Sequence, residues 1–139
     1  MKKYFNGALI YAICALLCGV FYREMTKANG FTERTMLSNA HVHLFALGTV
    51  VYLIIALFSL IRDLSGSKFL FAAQIVYNVG LATTCIMMMV RGVTQVLGME
   101  LSSAANGAIA GIAGLCHMCT GIGIVLLLIS LKKKCVVKN

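Results

Sequence analysis

The 139-residue sequence contains no proline, so no proline kink interrupts any helix it forms. Acidic residues number only four, Glu24, Glu33, Asp63 and Glu100. That shortage removes the paired carboxylates of general acid–base catalysis, and the sequence holds no Ser-His-Asp arrangement and no phosphate-binding loop. Hydrolytic and phosphoryl-transfer chemistry have no residues to carry them, and the reading leans away from an enzyme. Charge of either sign is scarce, 12% of residues against 60% hydrophobic, with a mean hydropathy of +0.93. A water-soluble domain does not have this composition.

What the sequence does have is long apolar runs. A helix needs roughly 20 consecutive apolar residues to cross a bilayer, and four stretches qualify, roughly 5–23, 37–61, 68–90 and 104–131. The expected fold is all-α, one integral membrane domain over 1–139. It is a bundle of four transmembrane helices running up-down-up-down, with the lipid bilayer as its first partner. The start Met1-Lys2-Lys3 has the look of a secretory signal, but no A-x-A cleavage pattern follows, which predicts an uncleaved first span. In the connection after it, Asn29-Gly30 marks a turn. Thr32 is the expected N-cap of the second helix, with Glu33 and Arg34 in its first turn. Residues 92–103 are expected to form a loop or interfacial segment.

The net charge is +8, but the charges sit at span ends rather than on one basic face, so nucleic acid is not an expected partner. Of the twelve lysines and arginines, eight fall at the N-terminus, in the 62–68 connection and in the C-terminal tail. By the retention of positive charge on the cytoplasmic side, both termini are expected in the cytoplasm.

Side-chain patterning predicts which faces turn inward. On the first span a small, weakly polar face runs through Gly7, Tyr11, Cys14, Cys18 and Tyr22. On the third, Gln74, Asn78, Ala82 and Cys85 form a polar stripe that must face the interior, because amides in hydrocarbon need partners. On the fourth, Gly107, Gly111 and Gly114 permit close backbone approach and offer a route to a homo-oligomer. Five of the six cysteines (all but Cys135) fall inside spans as small, soft packing residues. No repeated CxxC pair has metal-finger spacing.

The three histidines are the chemistry-bearing residues. His41 and His43 lie in Asn39–Gly48, NAHVHLFALG, and His117 lies in GLCHMCTG. Ionisable side chains inside a membrane are costly and point to function, although a hydrogen-bonded core imidazole is the plainer alternative. Counting at 1.5 Å per residue from the ends of spans two and four puts His117 about 21 Å up, His43 about 27 Å and His41 about 30 Å. Two residues apart on a helix means about 200° around it, so His41 and His43 cannot share a face. The His41 face continues through Gly48, Tyr52 and Ile55 and reads as interior. The His43 face continues through Ala46, Val50 and Leu53 and reads as directed to lipid or to another subunit. His41 and His117 are therefore the expected facing pair, and the expected metal ligands, with His43 as an outer group or the alternative upper ligand.

Axial ligation of haem b between helices two and four is the sharpest reading. Gly48, Gly114 and Gly121 would clear room for the macrocycle. Arg34 and Arg91 would pair with its propionates, and Tyr11, Tyr52, Gln74 and Asn78 would surround it. The competing metal reading is copper or zinc, held by the histidines with Cys116, Cys119 or the Met87–Met89 run. Three consecutive methionines, however, fan over roughly 200° and cannot converge on one ion. A second class is a transporter or channel subunit with a polar path lined by Gln74, Asn78 and the histidines. A third is a structural membrane partner with no ligand.

The segments GVFYREMTKANGFT, LSNAHVHLFALG and GIAGLCHMCTGIG resemble an uncharacterised family of small bacterial four-helix membrane proteins, one of the domain-of-unknown-function families. Their shared pattern is an FYRE-like end to the first span, an HxHxxxLG helix and a later glycine-flanked histidine. The resemblance covers nearly the whole chain and implies fold and a place in the bacterial cytoplasmic membrane, not activity. The H-x-H pair at a helix start is also similar, over a short stretch, to haem-bearing membrane proteins of the haem-copper oxidase type.

Overall fold

The computed structural model describes residues 1–136, with side chains through Lys134. Cys135 and Lys138 of the tail therefore lie outside the described side chains. Four helices make up the described chain: α1 (Lys2–Ala28), α2 (Leu37–Ile61), α3 (Lys68–Val96) and α4 (Ser103–Val136). All four are long and apolar enough to cross a membrane, and the described residues include no strand. The all-helical, four-helix expectation holds.

Local chemistry sets the helix ends. α1 closes where the Phe31 amide donates to Thr26 O at 2.9 Å and Gly30 takes φ +58°, a left-handed stop that glycine adopts without strain. Thr32 does not cap α2, contrary to expectation. The helix begins at Leu37, and the residue that organises its start is Thr35. Thr35 Oγ1 accepts from the Leu37 amide at 3.4 Å while donating to Gly92 O at 3.1 Å. That tie to α3 outcompetes a local cap at residue 32. α3 starts on Ser67, whose hydroxyl accepts from the Leu70 amide at 3.2 Å. In the preceding turn Asp63 accepts from the amide and the hydroxyl of Ser65, both at 2.8 Å. Those two donors, the backbone one first, hold the Asp63 carboxyl below the usual carboxylate range.

The third helix runs through Val96, so residues 92–96 belong to it rather than to a loop. Arg91 thus lies within the helix, and the next residue, Gly92, packs directly on the Leu37 backbone. One turn further on, Gln95 Oε1 accepts from the Met36 amide at 2.8 Å.

Contacts between consecutive helices run in opposite sequence order. Gly7 meets Tyr52, Gly48 meets Tyr11 and Gly19 meets His41 between α1 and α2. Tyr77 reaches Leu47 O between α2 and α3, and Gly80 and Gly123 meet Thr120 and Tyr77 between α3 and α4. α3 is the central element, burying eleven residues where α1 buries three.

Two inward faces differ from expectation by one position. Cys14 is exposed and Ala15 is fully buried; Ala82 is exposed and Leu81 is fully buried. On α3 the repeated steps of four from Gln74 through Asn78 to Ala82 drift off the face, while on α1 the buried face is the parallel series Tyr4, Ala8, Tyr11, Ala15, Cys18 and Tyr22.

Within α2, residues Leu44–Val50 form a π-helical segment, in which hydrogen bonds span five residues instead of four. Leu47 O in this wider turn accepts the Tyr77 hydroxyl.

The close helix approach falls at different glycines from those the GxxxG spacing selected. A Cβ on Gly80 would lie 2.5 Å from the Thr120 nitrogen, and one on Gly123 2.5 Å from the Tyr77 Cα. Gly107, Gly111 and Gly114 meet nothing within 4 Å, so any close packing there would be with another chain. Gly80→Ala should destabilise the bundle by about 1–3 kcal/mol, since backbone must move to admit the methyl. Gly107→Ala should be neutral or stabilising by up to about 1 kcal/mol, through helix propensity alone. Denaturant titration of both variants in mixed micelles, followed by circular dichroism, measures the difference.

Candidate functional site

The π-helical segment begins directly after His43, and the two histidines before it turn to different neighbours. His41 faces α1: its ring stacks on Tyr22, centroids 6.2 Å apart and planes 14° from parallel, and it lies 3.8 Å from where a Cβ on Gly19 would stand. Its Nδ1 is buried and has no hydrogen-bond partner. His43 faces α4, where its ring meets His117 edge-on at 6.1 Å between centroids, the planes 87° apart.

The expected His41–His117 pair is therefore replaced by His43–His117. The 200° separation was sound; the assignment of neighbours was not. The His41 face, with Gly48, Tyr52 and Ile55, is interior as expected, but the helix packed against it is α1. His43 lies on the flank of α2 that turns toward α4. Below it Ala46, Val50 and Leu53 are exposed, so only the top of that face is covered.

His43 and His117 share a second feature. His43 Nδ1 lies 2.9 Å from Asn39 O, and His117 Nδ1 lies 3.0 Å from Ala113 O, each the carbonyl four residues back on its own helix. A carbonyl oxygen only accepts, so Nδ1 carries a proton in both rings, and in the neutral imidazole Nε2 is then the nitrogen with the lone pair.

His117 also borders a cavity of about 360 Å³ formed by the last turns of α3, the first turns of α4 and the start of α2. Arg91, Gln95, Met36, Met87 and Met88 line it with His117. Arg91 is aimed there by Asn106, whose Oδ1 accepts from Nη1 at 2.6 Å, while Asn106 Nδ2 donates to Leu101 O at 3.1 Å. The methionines fan apart: Met87 and Met88 reach the cavity, and Met89 takes the Cys18 thiol at 3.8 Å on the α1 side.

The remaining candidate residues lie elsewhere. Arg34 is exposed and makes no hydrogen bond or ion pair among the described residues. Tyr52 and Asn78 belong to a separate cluster. The Tyr11 hydroxyl donates to Asn78 Oδ1 and Asn78 Nδ2 donates to the Tyr52 oxygen, both at 2.6 Å. Tyr52 is nine residues along α2 from His43, about 13 Å at the helical rise, too far to surround a group held at the imidazoles. Gly48 does not clear space either, because the Tyr11 ring fills it; Gly114 and Gly121 are open. Among the described residues no cluster of three or more His, Cys, Asp or Glu side chains could hold a metal ion. Cys119 instead bonds Val76 O at 3.7 Å.

Residue-by-residue reading missed Met36, Asn106 and the pairing of Tyr22 with His41. Asn106 was reachable: folding the chain back about 97–102 sets the first turn of α4 against the last turn of α3, opposite Arg91. Met36 carried no such signal, whereas Tyr22 stood on the inward face of the first span without a named partner.

No match was found among curated proteins or among solved structures. The family described as "Protein of unknown function (DUF2871)" matches residues 1–134, and the chain, a small four-helix protein with helices suited to a membrane, belongs to that family.

Proposed function

We propose that this protein is a small membrane redox or sensor component that binds haem b between α2 and α4, with His43 and His117 as the residues that would hold it. The observation that carries the reading is the His43–His117 geometry. The rings lie 6.1 Å apart with their planes 87° from parallel, which brings imidazoles from two helices within reach of one bound group. Both Nδ1–H groups are already tied to backbone carbonyls, the arrangement that fixes the tautomer and the ring orientation of a metal-binding histidine.

Arg91 supports the same reading, since it stands in the cavity that His117 borders and a guanidinium pairs well with a carboxylate. Gly114 and Gly121 leave open surface on the flank of α4 near His117. When bound, the haem would supply a one-electron couple. The chain's contribution would be to fix two imidazoles and to offer one cation, Arg91, to the carboxylates. The transport reading draws less support, because the amide of Asn78 is taken at both ends by tyrosines and lines no open path.

Protein purified in mild detergent from haem-replete cells should show a Soret band. His43→Ala and His117→Ala should each abolish it, and His41→Ala should leave it in place. A colourless wild-type protein would sink the proposal, and a band that survives His43→Ala but not His41→Ala would restore the other pairing. Asn78→Leu should keep the band while lowering stability by about 1–3 kcal/mol, the cost of leaving two buried hydroxyls without their amide. Thermal unfolding followed at the Soret maximum reads both effects in one experiment.

A further inference from the structure

The opposite, lysine-rich end of the bundle holds a second cavity, of about 380 Å³, bordered by Lys3 of α1, by Gly66 and Ser67 before α3, and by Lys68, Phe71 and Gln74 of α3. It takes no part in the histidine site. Its floor is the start of α3. The Ser67 hydroxyl and carbonyl accept from the Leu70 and Phe71 amides, while the amides of Lys68 and Phe69 have no partner among the described residues. Unpaired amides and the aligned peptide dipoles make the first turn of a long helix attractive to anions. Lys3 and Lys68 add two ammonium groups at the rim. No acidic side chain borders the cavity, and Asp63, in the neighbouring turn, is occupied by Ser65.

Gln74 is the independent observation. It is only 8% exposed, forms no hydrogen bond to any described residue, and borders this cavity. Its carboxamide, with no partner in the protein, borders the same space as Lys3 and Lys68, where a group able to accept from it would be favoured. From the mouth of the cavity the α3 surface continues as exposed Phe71, 63% accessible, and Phe69, 41% accessible. That surface suits hydrocarbon chains, which a free phosphate does not have.

We propose that this cavity binds the phosphate headgroup of an anionic phospholipid. The Gln74 amide and the free amides of Lys68 and Phe69 would donate to phosphate oxygens, Lys3 and Lys68 would supply the charge, and the acyl chains would lie along Phe69 and Phe71.

Native mass spectrometry of the full chain in micelles, titrated with phosphatidylglycerol or with phosphatidylcholine, tests it. One phosphatidylglycerol should be retained per chain in preference to phosphatidylcholine. Gln74→Leu, which removes the amide without changing charge, should weaken retention about ten-fold or more. Gln74→Glu, which puts a carboxylate in front of the phosphate, should abolish it. Lys3→Gln with Lys68→Gln should also weaken it about ten-fold, while Lys2→Gln with Lys132→Gln, an equal loss of charge outside the cavity, should change it less than two-fold. Equal loss in the two double variants would reduce the effect to general charge attraction and overturn the proposal. Undiminished retention in Gln74→Leu would overturn it as well, and full displacement of the lipid by millimolar inorganic phosphate would overturn the lipid as the source of the anion.

Discussion

One side chain, Asn78, joins three helices where water is not available to replace it. Its carbonyl oxygen takes the Tyr11 hydroxyl from α1 and its amide donates to Tyr52 on α2, while its own backbone belongs to α3. In hydrocarbon, polar groups must be satisfied within the protein, so this arrangement rotates α1 and α2 into a single register against α3. The register has a direct consequence at the other end of α2. With the Gly48–Tyr52 face committed to α1, His41 on that face must also meet α1, and His43 is the imidazole left to turn toward α4. A carboxamide in mid-bundle thus determines which histidine is paired, about 13 Å away along the helix.

The helices themselves were legible because the signal behind them is crude and strong. Four apolar runs bounded by Lys, Arg and Gly leave little else for the chain to do. Angular separation along one helix was legible too, and His41 and His43 do part company as the geometry of a helix requires. What one strand of sequence does not carry is which neighbour occupies each direction. Reading the His41 face as interior was right, and equating interior with α4 was not, since α1 packs there. Arg91 illustrates the same gap. An arginine beside an apolar run reads as the end of a span, yet α3 continues five residues past it, because Asn106 satisfies the guanidinium from the next helix.

Glycines show a comparable limit. The GxxxG spacing on α4 drew attention to Gly107 and Gly111, which meet nothing in the chain. Gly80, Gly92 and Gly123 stand in no such motif, yet each sits where another helix's backbone would collide with a Cβ. The pattern that matters is written across two helices: Gly80 answers Thr120 and Gly123 answers Tyr77, and neither spacing is visible along a single segment. The π-helical turn is similarly silent in sequence. The segment contains Gly48 but no proline, and Leu47 O within it accepts the Tyr77 hydroxyl from α3.

The three imidazoles differ most in what holds their unused nitrogens. For His43 and His117, the carbonyl one turn back on the same helix removes the choice of tautomer before any ligand arrives. His41 has no such contact; its Nδ1 is buried with nothing to bond, and its ring is held by stacking on Tyr22. Stacking fixes the plane of a ring but not the position of its proton. A pair that must present two lone pairs to one centre is better built from rings whose protons are already placed, because neither has to reorganise as the centre binds. On that physical ground, rather than on depth or proximity alone, His43 and His117 are the pair proposed to hold a ligand, while His41 packs between α1 and α2.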